Sequence, residues 1–396
     1  YPNGSAPLTA MLSKMKSSKV SDPEYNWWTK NLASQGGAVT NVYTDSSMAS
    51  AYSSGAVAAG VVHYVKCAAA VASEIRPGHQ VLLRDASIIA NDANAKVVSV
   101  VSNGADSMVA CKYLEASASG NAAAFDTILV IGSINAEGAA IPDALSYDPV
   151  KYSNYTQIFR TPLEITRTAR KTRLRTGDQY KEMKREALEL HSIEMEKAFF
   201  HGVKSEGTGS NGKPERTTQG IVSFINENAS DNMFNYDVDE SGSNTWVSKG
   251  EGWLDEKLEQ LFRHGSSEKI AYCGSGALLG INSLAKSAGQ VQLKSTDVAY
   301  GLKVVEWLTP FGTLMLKTHP LFSYEASNRN RMVVVDPDKI QFNYIDDTFF
   351  KKDDGERKAG QIAVDGSKEE FLTEGGLEMH HPLCHGVFDH VGLAGS

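Results

Sequence analysis

Tyr155-Thr-Gln-Ile-Phe-Arg-Thr-Pro-Leu-Glu-Ile-Thr166 opens a stretch, running to Ile221, that reads as one continuous mechanical unit. The opening run has strand character. A strongly basic segment follows, in which Arg167, Arg170, Lys171, Arg173 and Arg175 crowd together on what reads as an extended loop. Thr176-Gly177-Asp178 then starts a long amphipathic helix that stops at Ala198-Phe-Phe-His-Gly202. Asp178 is a good N-cap, and its carboxylate suits the positive end of the helix dipole. Tyr180, Met183, Ala187 and Leu190 recur at three- and four-residue steps and predict the buried stripe, with Lys181, Arg185, Glu189 and Glu196 opposite. Gly202 supplies the stop. About twenty-four residues at ~1.5 Å each make a strut of about 36 Å. A Gly/Ser-rich polar loop leads on to Thr217-Thr-Gln-Gly-Ile221.

The rest of the chain sets limits on what this strut can serve. At 396 residues the chain exceeds one typical core, so two or three domains are expected. Hydrophobic content of 41% and charged content of 22% are those of a globular protein, not of a disordered or fibrous one. A net charge of −8 argues against broad, tight DNA binding, which needs clustered cations to neutralise phosphates. Cys67, Cys111, Cys273 and Cys384 are far apart and form no CxxC pair, which favours free, buried thiols. The most apolar stretch, Gly55 to Ser73, carries His63 and Lys66 near its middle; it reads as strand and buried segment, so no transmembrane helix is expected.

Residues 1–36 read as an extended N-terminal arm with a short helical patch around Leu8 to Lys16. The adjacent Trp27 and Trp28 carry too much apolar surface for a free tail, and dock either on their own domain or on a neighbouring subunit. From 37 to 147, short apolar runs alternate with turn signals such as Pro77-Gly78, which predicts a small antiparallel β-subdomain. Residues 224–250 are acidic and Asn/Ser-rich and read as a surface excursion. Beyond them, helices around 253–262 and 277–286 alternate with strands at 269–273, 304–308, 313–317 and 331–335. Glu370 to Val391 returns as strand. The fold class is α+β.

The order of long helix, Ala198-Phe-Phe-His-Gly202, polar loop and Gln219-Gly-Ile221 resembles the spine helix and adjoining loop of tailed-phage major capsid proteins, whose fold is shared with encapsulins and the herpesvirus capsid floor. The block Ala136-Glu-Gly…Asn154-Tyr-Thr-Gln-Ile-Phe159…Gly202 is similar to one subfamily of such head proteins. The resemblance is close over about 136–225 and holds in outline elsewhere. It implies a self-assembling subunit of hexamers and pentamers in an icosahedral virion shell around double-stranded DNA. It implies a division into arm (1–36), β-rich insertion in or beside the extended loop (37–147), return strand and basic segment of that loop (148–177), spine helix and peripheral domain (178–223), central capsomer domain (224–368) and C-terminal return (369–396). It also implies weak non-specific contact with packaged DNA, and portal and decoration proteins as partners. The extended loop of such proteins overlaps the adjacent subunit, so Arg167, Arg170, Lys171, Arg173, Arg175, Trp27 and Trp28 are the candidate intersubunit contacts. Asp255, Glu256 and Glu259 are among the acidic groups such cations could meet; charge pairs of this kind fix register more than they add affinity. An encapsulin-like compartment is the nearest alternative.

Several motifs mimic chemistry. Gly207-Thr-Gly-Ser-Asn-Gly-Lys-Pro214 approaches a phosphate-binding loop, but a helix precedes it and Pro214 replaces the hydroxyl residue. Gly274-Ser-Gly-Ala-Leu-Leu-Gly280 lies between strand and helix, yet no acidic residue follows to hold a ribose; it is the site a nucleotide-binding enzyme would use. His380-His-Pro-Leu-Cys-His385, with His390, offers metal-type ligands on flanks that read as strand. Asp237-Val-Asp-Glu-Ser-Gly242 starts like a calcium loop but has Ser248 where a bidentate Glu is needed. Ser283-Leu-Ala-Lys286 lacks the partner motifs of serine acyl enzymes. No catalytic, cofactor or metal residue is assigned.

Overall fold

The computed structural model describes residues 6–30, 35–104, 107–138, 141–142, 144, 148–172, 178–240, 245–288, 293–299, 302–352 and 366–393, with the backbone alone for 285–288, 293–299 and 302–303. The chain forms two compact units, one of residues 1–29 with 150–396 and one of 30–149.

In the larger unit, α1 (Pro7–Leu12), β1 (Ser17–Lys19) and β2 (Glu24–Thr29) come first. The smaller unit holds β3 (Gly36–Tyr43), β4 (Val62–Cys67), α2 (Ala69–Ser73), β5 (His79–Arg84), β6 (Ala93–Val101), β7 (Met108–Tyr113) and β8 (Thr127–Ser133). The larger unit resumes with β9 (Val150–Tyr155), β10 (Gln157–Thr166), α3 (Arg167–Lys171) and α4 (Gln179–His201). Next come β11 (Ser205–Thr208), β12 (Pro214–Thr217), α5 (Ile221–Asn228), β13 (Met233–Asn235), α6 (Tyr236–Asp239) and α7 (Trp246–Phe262). After these run β14 (Glu268–Cys273), α8 (Ser275–Ala288), β15 (Leu293–Ala299), β16 (Leu302–Thr309), β17 (Gly312–Thr318) and α9 (Pro320–Tyr324). The chain ends with β18 (Met332–Val335), β19 (Ile340–Lys351), β20 (Gly366–Met379) and β21 (Gly386–Asp389).

Among the described residues the larger unit has two large sheets, beside the two-stranded pairs β2-β9 and β11-β12. One has the order β1-β19-β20-β10, and α4 packs along it; the other has the order β13-β21-β18-β14-β17-β16-β15 and carries α7 and α8. The return after β19 therefore splits. β20 runs antiparallel to β10 beside α4, and β21 crosses to the second sheet.

Asp178 caps α4 as its sequence suggests, accepting the Tyr180 amide at 3.0 Å. The buried face of α4 departs from expectation at two positions. Ala187 is buried and Tyr180 and Met183 pack partly against Leu163 and Phe371, but Leu190 is 55% exposed and Glu196 is fully buried. The stripe advances from Met183 in four-residue steps through Ala187, His191, Met195 and Phe199, so polar His191 takes the place expected for Leu190. His191 earns burial by bridging two strands: Nδ1 lies 3.0 Å from Thr161 Oγ1 on β10, and Nε2 lies 2.7 Å from Thr373 Oγ1 on β20. At the far end Phe199 and Phe200 enter the main core. Gly202 and Gly220 meet there, the Gly220 amide donating to the Gly202 carbonyl at 2.9 Å. A Cβ on Gly202 would stand 2.5 Å from both the Ala198 and Thr218 carbonyl oxygens, so the glycine is a close-approach requirement and not a left-handed turn.

Two further expectations change. The arm is not extended, because α1 buries Leu8, Met11 and Leu12, β1 pairs in parallel with β19, and β2 pairs antiparallel with β9. The stretch 224–250 is not a surface excursion among its described residues. Phe234, Tyr236 and Trp246 are buried in one aromatic cluster with Trp253, and polar neighbours had masked them. The strand-rich stretch closes on itself as a six-stranded barrel in the order β3-β4-β7-β6-β5-β8, filled by alternate residues such as Val65, Cys67, Val81, Leu83, Val109 and Cys111. All four cysteines are free and buried. Among the described residues no helix is long and apolar enough to cross a membrane.

Candidate assembly surfaces

The described part of the basic segment, Arg167–Lys171, forms a short helix where an extended loop was expected. Thr166 ends β10 and caps α3, its hydroxyl accepting the Ala169 amide at 3.3 Å. Arg167, Arg170 and Lys171 are exposed on this helix, which contains no acidic residue. The Arg170 guanidinium stacks over the Tyr180 ring at 4.7 Å, and the Tyr180 hydroxyl donates to the Glu369 carboxylate at 2.5 Å. Proximity to that carboxylate raises the Tyr180 pKa. This brace ties α3 to α4 and β20. Arg173 and Arg175 lie outside the described residues.

The two tryptophans part company. Strand alternation on β2 turns Trp27 inward, where its indole Nε1–H donates to the Met379 carbonyl at 2.9 Å and its ring stacks on Tyr25 and Tyr152. Trp27 therefore docks on its own unit and is withdrawn as a contact for a neighbour. Trp28 faces out, 57% exposed. Of the candidate acidic partners on α7, Glu259 is paired with Arg263, the residue that follows the helix, at 2.5 Å, and Glu256 with Lys257 at 2.9 Å.

Sequence reasoning missed a latch. Glu196 of α4 accepts the Leu8 amide at 2.8 Å, the Thr9 amide at 2.7 Å, the Thr9 hydroxyl at 2.6 Å and His319 Nε2–H at 2.9 Å. His319 Nδ1 accepts the Phe322 amide, which fixes Nε2 as the protonated nitrogen. One buried carboxylate thus holds α1, α4 and the start of α9 together. The available signal was Glu196 lying next to Met195 and three and four residues before Phe199 and Phe200, on the helix face those positions bury.

The motifs that mimic chemistry are occupied by the chain itself. Gly207 to Pro214 spans the β11–β12 hairpin, with 209–213 as its turn. At Gly274, a Cβ would meet the Arg329 carbonyl oxygen at 2.3 Å, and the Gly276 and Ala277 amides donate to that same carbonyl. The first amides of α8 therefore face backbone where a phosphate would have to sit. Ser283 Oγ donates to the Gly280 carbonyl of its own helix at 2.6 Å. Asp239 accepts the Trp253 indole at 2.8 Å, and Gly242 lies outside the described residues.

The His-rich segment makes a 3-10 turn (Pro382–Cys384) between its flanking strands β20 and β21, entered through a left-handed His381. His385 is fully buried. Its Nδ1 accepts the Asp336 amide and its Nε2 lies 3.2 Å from the His380 carbonyl, and burial pushes its pKa down to about 4. Beside it the buried Lys269 ammonium donates to the His264 and Cys384 carbonyls at 2.9 Å and lies 3.8 Å from Asp336. Among the described residues no group of His, Cys, Asp and Glu is arranged to hold a metal.

Comparison with known proteins bears on the whole length. The family described as SU10 major capsid protein matches residues 2–392. The major capsid protein of Pseudomonas phage PaMx41 is 26% identical over 394 residues, covering 96% of this chain and 87% of the relative. Among solved structures, a chain of Mycobacterium phage Adephagia is similar with a TM-score of 0.43 at 7% identity, over 93% of this chain and 83% of that one. The holo-SrpI encapsulin complex of Synechococcus elongatus PCC 7942 gives a TM-score of 0.41 at 12% identity, over 62% of this chain and 76% of that one.

Proposed function

Since this chain belongs to the SU10 major capsid protein family and builds the virion shell of a phage by self-association, we propose that α3 and Trp28 are contact points between neighbouring copies in that shell. The carrying observation is the acid-free cationic helix α3, braced in place by Arg170 on Tyr180 and directed away from its own core. A fixed cationic knob sets register between repeated neighbours, and many such modest contacts sum to high avidity through a lattice. Head-to-tail contacts of this kind close into rings.

In this reading α4 is the spine helix, 148–177 the return of the extended loop, 224–368 the central capsomer domain, 369–396 the return to the peripheral domain, and the barrel within 37–147 an insertion. The work is mechanical, with no catalytic step. The packaged double-stranded DNA touches the shell weakly and without sequence preference, as a net charge of −8 suits. The portal and decoration proteins complete the set of partners.

The test is charge reversal. Arg167→Glu, Arg170→Glu and Lys171→Glu together should leave a folded subunit that fails to form shells or forms them wrongly. Raised salt should slow wild-type assembly in the same direction, because exposed charges are screened beyond about 8–10 Å at physiological ionic strength. Normal shells with normal DNA content from the triple variant would remove α3 from the contact. Normal shells that lack DNA would place α3 on the lumenal face.

A further inference from the structure

Two adjacent isoleucines in the β5–β6 loop, Ile88 and Ile89, are 53% and 74% exposed. The loop that carries them is tightly fixed. Asp85 accepts the Ser87 and Ile88 amides on Oδ1, at 2.9 and 3.3 Å, and the Asn91 side-chain amide on Oδ2 at 2.7 Å. Asp126 accepts the Ala86 amide at 2.9 Å, and Asp92 accepts the Asp85 amide at 3.0 Å. A backbone pinned at so many points cannot turn its apolar side chains inward. Their display is built in, and β-branched side chains on a fixed loop lose little freedom when they dock.

The position of the loop matters as much as its rigidity. The connections 44–61, 85–92 and 114–126 share one end of the barrel. The chain enters at β3 and leaves after β8 at the other end, where Gly36 pairs with Leu129 and His79 with Ser133. Val61 and Leu114, also exposed, lie on the same rim: the Tyr113 amide donates to the Val61 carbonyl and the Leu114 amide to the Asn94 carbonyl, both at 2.9 Å. Four exposed apolar side chains therefore mark the end of the barrel remote from its chain connections.

We propose that this rim is a contact surface for a second copy of the chain in the shell. The charge around it favours that occupant. The loops 85–92 and 114–126 contain no Lys or Arg, and outside the buried Asp85 they present Asp92, paired with Arg84 at 3.2 Å, Glu115 and Asp126; the chain itself carries a complementary surface, the acid-free cationic helix α3. Apolar anchors inside a charged rim are the usual build of a protein–protein contact.

Because all four native cysteines are buried, Ile89→Cys in the full chain gives a maleimide label readable at one position. Assembled shells made from this chain alone should label at least about tenfold more slowly than the free subunit, since burial in a contact blocks the reagent until the site opens. Equal rates overturn the proposal. Protection that appears only in complete virions also overturns it, since a different virion protein would then cover the rim. As a second measurement, Ile88→Asp with Ile89→Asp should keep the melting behaviour of the subunit, both side chains being exposed, while raising the concentration needed for assembly by at least about tenfold. An unchanged assembly threshold contradicts the proposal. Neither readout depends on the role of α3.

Discussion

Replacing Glu196 with alanine should release the N-terminal segment and cost about 3–5 kcal/mol of stability. The carboxylate is fully buried and serves four donors: the Leu8 and Thr9 amides, the Thr9 hydroxyl and His319 Nε2–H. Alanine leaves all four unpaired in the core, and each buried polar group stripped of its partner costs about 1–3 kcal/mol. The six-residue helix α1 cannot persist without its groove, because a helix that short does not form alone in water. Leu8, Met11 and Leu12 would then leave the core with it. Denaturant unfolding reads the stability loss, and amide exchange over residues 7–12 reads the release. Glu196→Gln should fall between the two, since its amide NH2 faces donors where the carboxylate had acceptors. A stability change below about 0.5 kcal/mol with α1 still protected would show that the latch is not what holds this segment.

Acid should destabilise the larger unit in a defined window. His385 is neutral in the fold, with its pKa held near 4 by burial, whereas in the unfolded chain it titrates near the ordinary value of about 6.5. Below about 6.5 the unfolded state takes up a proton that the native state refuses, so stability falls as pH falls and levels off once pH is below about 4. The total loss from this one residue is about 3 kcal/mol. Burial also lowers the pKa of His191 and of His63 in the barrel, so their contributions have the same sign. His385→Asn keeps an acceptor for the Asp336 amide and removes the titration. Its unfolding free energy should depend less steeply on pH between about 6.5 and 4 than that of the wild type. An identical slope in the two proteins would remove His385 from the acid response.

The long helix was legible because its ends carry local chemistry: Asp178 caps one and Gly202 closes the other where Gly220 approaches. Its buried face was misread because His191 and Glu196 are polar. Each is buried for the sake of partners distant in sequence, Thr161 and Thr373 for one, Leu8, Thr9 and His319 for the other. Strands of the barrel could be read from alternation between turns, but closure depends on β3 finding β8, which no local pattern encodes. The basic run was read as loop because five residues are too few to show a helical period, and what starts α3 is a single capping hydroxyl on Thr166. Of the candidate contacts, the described cations of α3 are exposed as their charge suggests, and Trp28 is exposed although its ring is apolar. Trp27 turned inward because successive residues on a strand face opposite sides.

Sedimentation velocity of the purified full chain across a concentration series, with negative-stain imaging of the fast fraction, tests the central claim most directly. A shell subunit should move from free subunit to capsomer-sized rings and closed particles above a threshold concentration, and the assembled form should resist heat better than the free one. A well-folded chain that remains monomeric at every concentration, with no closed particle in any image, would contradict the account.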